Sequence, residues 1–228
     1  MKARLVSSRE IAPNTRHFEF EATDWTAAFV PGQFLSLSHT FGEDEITRAY
    51  SIASPPDGHR FALCANLVDG GHFSPFLFSL MPGDEVDFKG PYGAFILRRP
   101  VSDSIFVATG TGIAPFRSIL HAQLREHADR HFTLIFGVRY EYGLLYHDEF
   151  LALARNCPNF DYQPTLTRAA DHWPGRTGRV QQHTLALLGE RRDIDLYICG
   201  LREMVDDLRT KLKEAGLDRK RIIYEKYD

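Results

Sequence analysis

The chain has 228 residues, 43% of them hydrophobic and 25% charged, with 27 basic side chains against 30 acidic ones. This is the composition of a globular protein with a core to bury, so whole-chain disorder is excluded. A formal charge of −3 offers no broad basic face for nucleic acid or anionic lipid. Cys64, Cys157 and Cys199 are odd in number, widely spaced and without a C-x-x-C pair, which leaves neither a disulfide framework nor a four-thiolate cluster site and points to a reducing, cytoplasmic setting. Met1 to Glu10 holds no signal-peptide core and no 18 uncharged apolar residues run together, so no membrane insertion is expected.

From Lys2 to about Leu97, short apolar runs alternate with turn residues. Arg16 to Glu21 and Gln33 to Ser38 switch polar and apolar side chains at every step, as half-buried strands do, and Arg60 to Ala65 and Asp84 to Phe88 are further runs. Pro31-Gly32, Pro55-Pro56-Asp57-Gly58, Asp69-Gly70-Gly71, Pro82-Gly83 and Gly90-Pro91 punctuate them, and Glu43-Asp44-Glu45 reads as an acidic loop. About six strands at this spacing suggest a closed antiparallel β-barrel, because closure removes exposed edges. Phe73 to Met81 is the exception, a short covering helix.

After Arg98-Arg99-Pro100 the pattern changes. Ser104 to Ala108 is a continuous apolar run, followed by a glycine turn and a helix over Pro115 to Glu126. Phe132 to Phe136, Tyr162 to Thr167 and Leu196 to Cys199 repeat the strand, with helices around His147 to Ala154, Val180 to Leu188 and Met204 to Ala215, and Arg221 to Tyr227 is a last strand. Buried runs alternating with helices imply an α/β domain with a parallel, Rossmann-like sheet covered on both faces. The expected division is residues 1–98 and 99–228.

Two segments carry chemistry on their own terms. Gly110-Thr111-Gly112-Ile113-Ala114-Pro115, after Thr109, lies between strand and helix, where glycines admit a phosphate to free N–H groups at a positive helix end. It is neither G-x-G-x-x-G nor a P-loop, and a tight turn needing glycine only for packing is the alternative. In Arg48-Ala49-Tyr50-Ser51, a strand would put Arg48 and Tyr50 on one face, presenting a cation and a ring to a flat anionic ligand; a surface arginine beside a barrel tyrosine is the alternative.

Together with these, Gly71-His72-Phe73-Ser74, Gly90-Pro91-Tyr92-Gly93-Ala94-Phe95 and Cys199-Gly200 followed by Met204 make five motifs in order. They resemble the R-x-Y-[ST], G-x-x-S, G-P-x-G-x-F, G-T-G-I-A-P and C-G-x-x-x-M elements of the ferredoxin-NADP reductase superfamily, and the resemblance spans almost the whole chain. It implies a six-stranded flavin barrel followed by a pyridine-nucleotide domain. By that resemblance Arg48 holds a flavin pyrophosphate, Tyr50 lies along the flavin ring, Ser51 stands near its hydride-accepting nitrogen, and Gly71, His72 and Ser74 complete a phosphate cradle at the helix beginning with Phe73. Gly110, Thr111 and Gly112 face the dinucleotide, with Cys199 near the nicotinamide. Glu225 sits close to the flavin and relays protons or tunes its charge, and Tyr227 covers the outer face, where the nicotinamide must displace it.

The implied cofactors are FAD, rather than FMN, and NADP, with NAD possible. Thr167-Arg168, Arg176, Arg179 and Arg139 resemble the hydroxyl and basic residues that meet the 2′-phosphate in relatives preferring NADP. The implied activity is hydride transfer from NADPH to bound FAD, then electron delivery to a separate ferredoxin or flavodoxin, by a monomer. Alternatives are a reductase component of an oxygenase, an NAD(P)H-flavin reductase, and, from another class, a nucleotide-sensing subunit without turnover. Eight histidines, His39, His59, His121, His127, His131, His147, His172 and His183, show no ligand spacing and receive no role.

Overall fold

The computed structural model describes residues 1–26 and 28–227. Six strands build the first half: β1 (Lys2–Ala12), β2 (Thr15–Glu21), β3 (Phe34–Phe41), β4 (Asp44–Ser51), β5 (Arg60–Asn66) and β6 (Glu85–Tyr92). Their order is β4-β3-β6-β1-β2-β5, antiparallel throughout, and an isolated Ile52–Leu63 bridge joins the ends into the expected barrel. Inward residues of the alternating strands, among them Phe18, Phe20, Leu35, Leu37, Phe61 and Phe88, fill it. Helix α1 (Phe73–Ser79) covers the barrel between β5 and β6, its Phe73 and Leu77 in the same core. The acidic segment is not a loop. Asp44 and Glu45 already pair with Phe41 and Thr40, because Gly42, at φ 65°, turns the chain within two residues.

The second half contains β7 (Ser104–Thr109), α2 (Ala114–Gln123), β8 (Phe132–Val138), α3 (His147–Asn156), β9 (Phe160–Leu166), β10 (Arg176–Thr177), α4 (Val180–Leu188), β11 (Asp195–Leu201), α5 (Arg202–Glu214) and β12 (Ile222–Tyr227). The sheet is parallel, with order β10-β9-β8-β7-β11-β12. Period-two alternation divides its side chains: Phe106, Ala108, Leu134 and Cys199 join the core beneath α2 and α3, and Ile105, Val107, Ile135 and Ile198 the core beneath α4 and α5. Strand order reverses between β7 and β11, so their carboxyl ends open a crevice at a topological switch point. The core beneath α2 also takes in Ala53, Cys64, Phe95 and Leu97 from the first half, so the two sheets share one apolar interface.

Candidate functional site

At the crevice, four of the sequence-selected side chains converge from both sheets. Ser51 ends β4, Cys199 stands near the end of β11, and β12 runs beside β11 with Cys199 opposite Glu225 and Leu201 opposite Tyr227. Alternation along β12 turns Glu225 and Tyr227 the same way, as expected. The Tyr227 hydroxyl donates to Ser51 Oγ at 2.5 Å, Ser51 donates on to Glu225 Oε2 at 3.4 Å, and the same tyrosine hydroxyl contacts the Cys199 thiol. Ser51 and Cys199 are buried, at 6% and 0% exposure. Burial pushes the Cys199 thiol and the Tyr227 phenol well up. It also raises the Glu225 carboxyl, against the hydrogen bond from Ser51 that lowers it. Cys199 is thus a neutral, polarizable thiol and no nucleophile.

On the barrel side Arg48 is exposed; its Nη1 donates to the neighbouring Thr47 carbonyl at 2.8 Å, and no carboxylate among the described residues pairs with it. Tyr50 shares its strand face and leans on Phe73, ring centres 6.1 Å apart and tilted 34°. Burial lifts its phenol to about 12 although Arg48 pulls the other way. Ala49 between them is exposed and pairs with Ser36. At the start of α1, His72 is exposed and supplies no side-chain cap, and Ser74 Oγ accepts from the Val68 N–H at 2.9 Å, which leaves its hydroxyl proton to donate. The Gly71 N–H, expected in the cradle, already serves the Val68 carbonyl at 3.0 Å. An exposed guanidinium without a carboxylate partner among the described residues, a ring backed by a second ring, a helix start without a side-chain cap and an available hydroxyl suit a flavin nucleotide phosphate and ring.

Across the crevice, a cleft of about 850 Å³ runs from Thr109 and Gly110 over Val138 to Met204. The expected turn into a helix is a 3-10 turn, Gly110–Ile113, leading into α2. Gly110 has φ 53°, where other residues are strained. Gly112 packs so tightly that a Cβ would lie 2.4 Å from the Cys199 carbonyl oxygen. At Gly200, φ 140°, a Cβ would overlap Thr109. Thr111 is half-buried beside them. Both glycine turns therefore let two strand ends approach each other and the cleft.

Arg139, Thr167, Arg168 and Arg179 line a second hollow, about 500 Å³, beside Gly178 and Gln182. Thr167 and Arg168 lie just beyond β9, which ends at Leu166. No carboxylate among the described residues is in ion-pair range of those three arginines. Arg176 is not among the lining residues; it sits on β10, exposed, and its carbonyl accepts from Trp173 Nε1. Sequence reasoning passed over Tyr140 and Tyr142, stacked at 5.2 Å and 17° on the cleft wall, with Arg168 Nη1 donating to the Tyr140 hydroxyl at 3.0 Å. Their i, i+2 spacing right after the strand that delivers Arg139 was the available signal. The barrel's β1–β2 turn, Pro13 and Asn14, forms part of the opposite wall.

A flavin-ready barrel facing a nucleotide-ready switch point defines an oxidoreductase that joins two redox cofactors. Comparison with known proteins agrees: residues 2–96 match the oxidoreductase FAD-binding domain and residues 106–210 the oxidoreductase NAD-binding domain. The chain is 42% identical over 238 residues to ferredoxin-NADP reductase B of Sorangium cellulosum, covering all of this chain and 97% of that one. It is 32% identical to the toluate 1,2-dioxygenase electron transfer component of Pseudomonas putida, covering 99% and 67%. Among solved structures, a ferredoxin NADP+ reductase from Neisseria gonorrhoeae with bound FAD and NADP superposes with a TM-score of 0.87 at 26% identity, covering 99% and 98%. The chain belongs to the ferredoxin-NADP reductase superfamily and is an FAD-dependent oxidoreductase. No helix among the described residues is long and apolar enough to cross a membrane.

Proposed function

We propose that the protein passes reducing equivalents from NADPH through bound FAD to a separate ferredoxin or flavodoxin. The observation that carries this is the Cys199–Tyr227–Ser51–Glu225 chain, which lies at the junction of the two sheets, between the Arg48 face and the Gly110 turn. Residues 1–98 form the flavin-binding unit and residues 99–228 the nucleotide-binding unit. When bound, the flavin supplies the hydride-accepting and electron-donating chemistry. Arg48 and Ser74 hold its phosphates, Tyr50 lies along its ring, and Ser51 offers a hydroxyl at the reacting edge. Cys199 presents a neutral thiol against which a flat ring packs without a competing charge. Glu225, whose charged form is disfavoured by burial, places its carboxyl beside the Ser51 hydroxyl and tunes the charge there. Tyr227 fills the outer position until the nicotinamide takes it.

The arginine hollow supports NADPH over NADH, since three guanidinium groups with no carboxylate in ion-pair range among the described residues attract a 2′-phosphate. The similarity to an oxygenase electron transfer component favours a second reading with the same chemistry but an oxygenase partner. A cytoplasmic monomer is the form proposed for both. Purified protein should be yellow, bleach anaerobically with NADPH, and reduce added ferredoxin or flavodoxin faster than free FMN or oxygen. A colourless protein that takes up no FAD refutes the assignment and favours a sensing subunit; reduction of oxygenase components alone favours the second reading.

A further inference from the structure

Helix α2 leaves the glycine turn and, one turn later, reaches into the barrel. Arg117 Nη1 donates to the Ala53 carbonyl at 2.7 Å, and Ser118 Oγ donates to the Ser54 carbonyl at 2.6 Å. Ala53 and Ser118 are fully buried. These carbonyls lie two and three residues beyond Ser51, on the segment where the Ile52–Leu63 bridge closes the barrel. The same segment is fixed from the barrel side, where Ala53 N–H donates to the Ala62 carbonyl and Ala62 N–H to Ser54 Oγ.

Arginine suits the place because its planar fork works in three directions at once. Nε donates to Glu149 Oε1 at 2.7 Å, Nη1 reaches Ala53, and the guanidinium lies 4.8 Å from the centre of the Tyr146 ring. Glu149 is held by His121 as well, at 2.5 Å. Tyr146 sits at φ 57°, unusual for a tyrosine, and its hydroxyl meets His17 Nδ1 of β2 at 2.9 Å in the interior. Arg117 lines neither hollow, and its hydrogen bonds and ring contact go to Ala53, Glu149 and Tyr146 rather than to the four side chains at the crevice.

The contacts close a loop. Ser51 leads through Ile52 to Ala53, Ala53 is clamped by Arg117, α2 runs back to Gly112, and Gly112 packs against the backbone of Cys199. Tyr227 then returns from Cys199 to Ser51. The separation of Ser51 from Cys199 is therefore set through α2 as well as through the bridging Tyr227 hydroxyl. We infer that Arg117, assisted by Ser118, is a positioning residue for hydride transfer, fixing the barrel's Ser51 edge against the nucleotide sheet's Cys199 edge.

This role rests on the reductase reading above, and one experiment separates the two. Wild-type protein, Arg117→Ala and Ser118→Ala are loaded with FAD, titrated for FAD affinity, and mixed anaerobically with saturating NADPH while flavin bleaching and the long-wavelength charge-transfer absorbance are followed. Because a misplacement near 1 Å costs about 100-fold in rate, Arg117→Ala should bleach roughly 10- to 100-fold more slowly, and Ser118→Ala about 3-fold more slowly. The charge-transfer absorbance should fall while FAD affinity stays within about 3-fold of wild type, a split that general destabilisation does not produce. Wild-type bleaching in Arg117→Ala, or in Ser118→Ala should Arg117→Ala not fold, overturns the inference. So does a slower rate matched by an equal loss of FAD affinity. Wild-type protein that binds FAD but never bleaches removes the reductase reading and this role with it.

Discussion

Gly112→Ala is the substitution whose effect follows most directly from atomic positions. Its backbone is in no special conformation, so the cost arises from space alone. The added methyl would meet Cys199 O at 2.4 Å, Cys199 C at 2.6 Å and Gly200 Cα at 2.7 Å, where ordinary contact begins at 3.4 Å. All three are backbone atoms of β11 and cannot rotate away, so the glycine turn and the strand end must separate by about 1 Å. Overpacking of this kind costs about 1–3 kcal/mol of stability, and a 1 Å displacement at a reacting centre costs about 100-fold in rate. Gly110→Ala is the control, with nothing within 4 Å of its Cβ but φ 53°, so it carries about 1–2 kcal/mol of backbone strain without the clash. Thermal melting of the FAD-loaded proteins should show comparable losses for both variants, whereas anaerobic NADPH mixing should show the much larger rate loss for Gly112→Ala. Equal rates in the two variants would refute the idea that close approach of the turn to Cys199 sets the reacting geometry.

Arg168→Ala should raise KM for NADPH about 10- to 100-fold, the worth of one charge-assisted hydrogen bond, and leave NADH kinetics nearly unchanged; equal losses with both nucleotides would place the 2′-phosphate elsewhere. Glu225 has a pKa raised by burial, so the folded state holds its proton more tightly than the unfolded chain, and stability falls as pH rises from the unfolded value of 4.5 through the folded one. Glu225→Gln should therefore melt higher than wild type at neutral pH, with the difference vanishing below about pH 4.5. His17, 3% exposed, has its pKa lowered to about 4, chiefly by burial, so the unfolded chain binds a proton that the folded one refuses. Up to about 3 kcal/mol of stability should be lost as pH falls from 6.5 towards 4; urea melts across that range should show the loss in wild type and a flatter profile in His17→Gln.

Much of this architecture was written in local pattern. The barrel strands alternate because each has one wet face, and the parallel strands read as unbroken apolar runs because both faces are covered. Other features had no local signature. The β3–β4 hairpin turns on Gly42 alone, inside a segment whose acidic residues look like loop. Strand β10 is two residues long and exists only through its pairing with Thr165 and Leu166. The convergence of Ser51 with Tyr227 spans 176 residues of sequence, and the motif resemblance supplied it where periodicity could not. The Arg117 clamp is invisible in a different way: its acceptors are main-chain carbonyls, which every residue possesses, so nothing in the identity of Ala53 or Ser54 announces them. His121, without a role on spacing grounds, finds one beside Glu149 because α2 and α3 are neighbours on one face of the sheet.

Those same contacts divide the crevice into fixed and movable parts. Drawing the two sheets apart would expose the shared apolar core around Ala53, Cys64, Phe95 and Leu97, strip Arg117 from a buried carbonyl and part Tyr146 from His17. Each of the two broken hydrogen bonds costs roughly 0.5–3 kcal/mol net, the charged guanidinium at the upper end, beyond the apolar area exposed. Tyr227 is held far less. It ends β12, the edge strand beside β11, where it pairs with Leu201, and among the described residues its side-chain polar ties are the hydroxyl contacts with Ser51 and Cys199. Exchanging its ring for a nicotinamide therefore asks for local movement of one strand end, while Ser51 and Cys199 keep their separation.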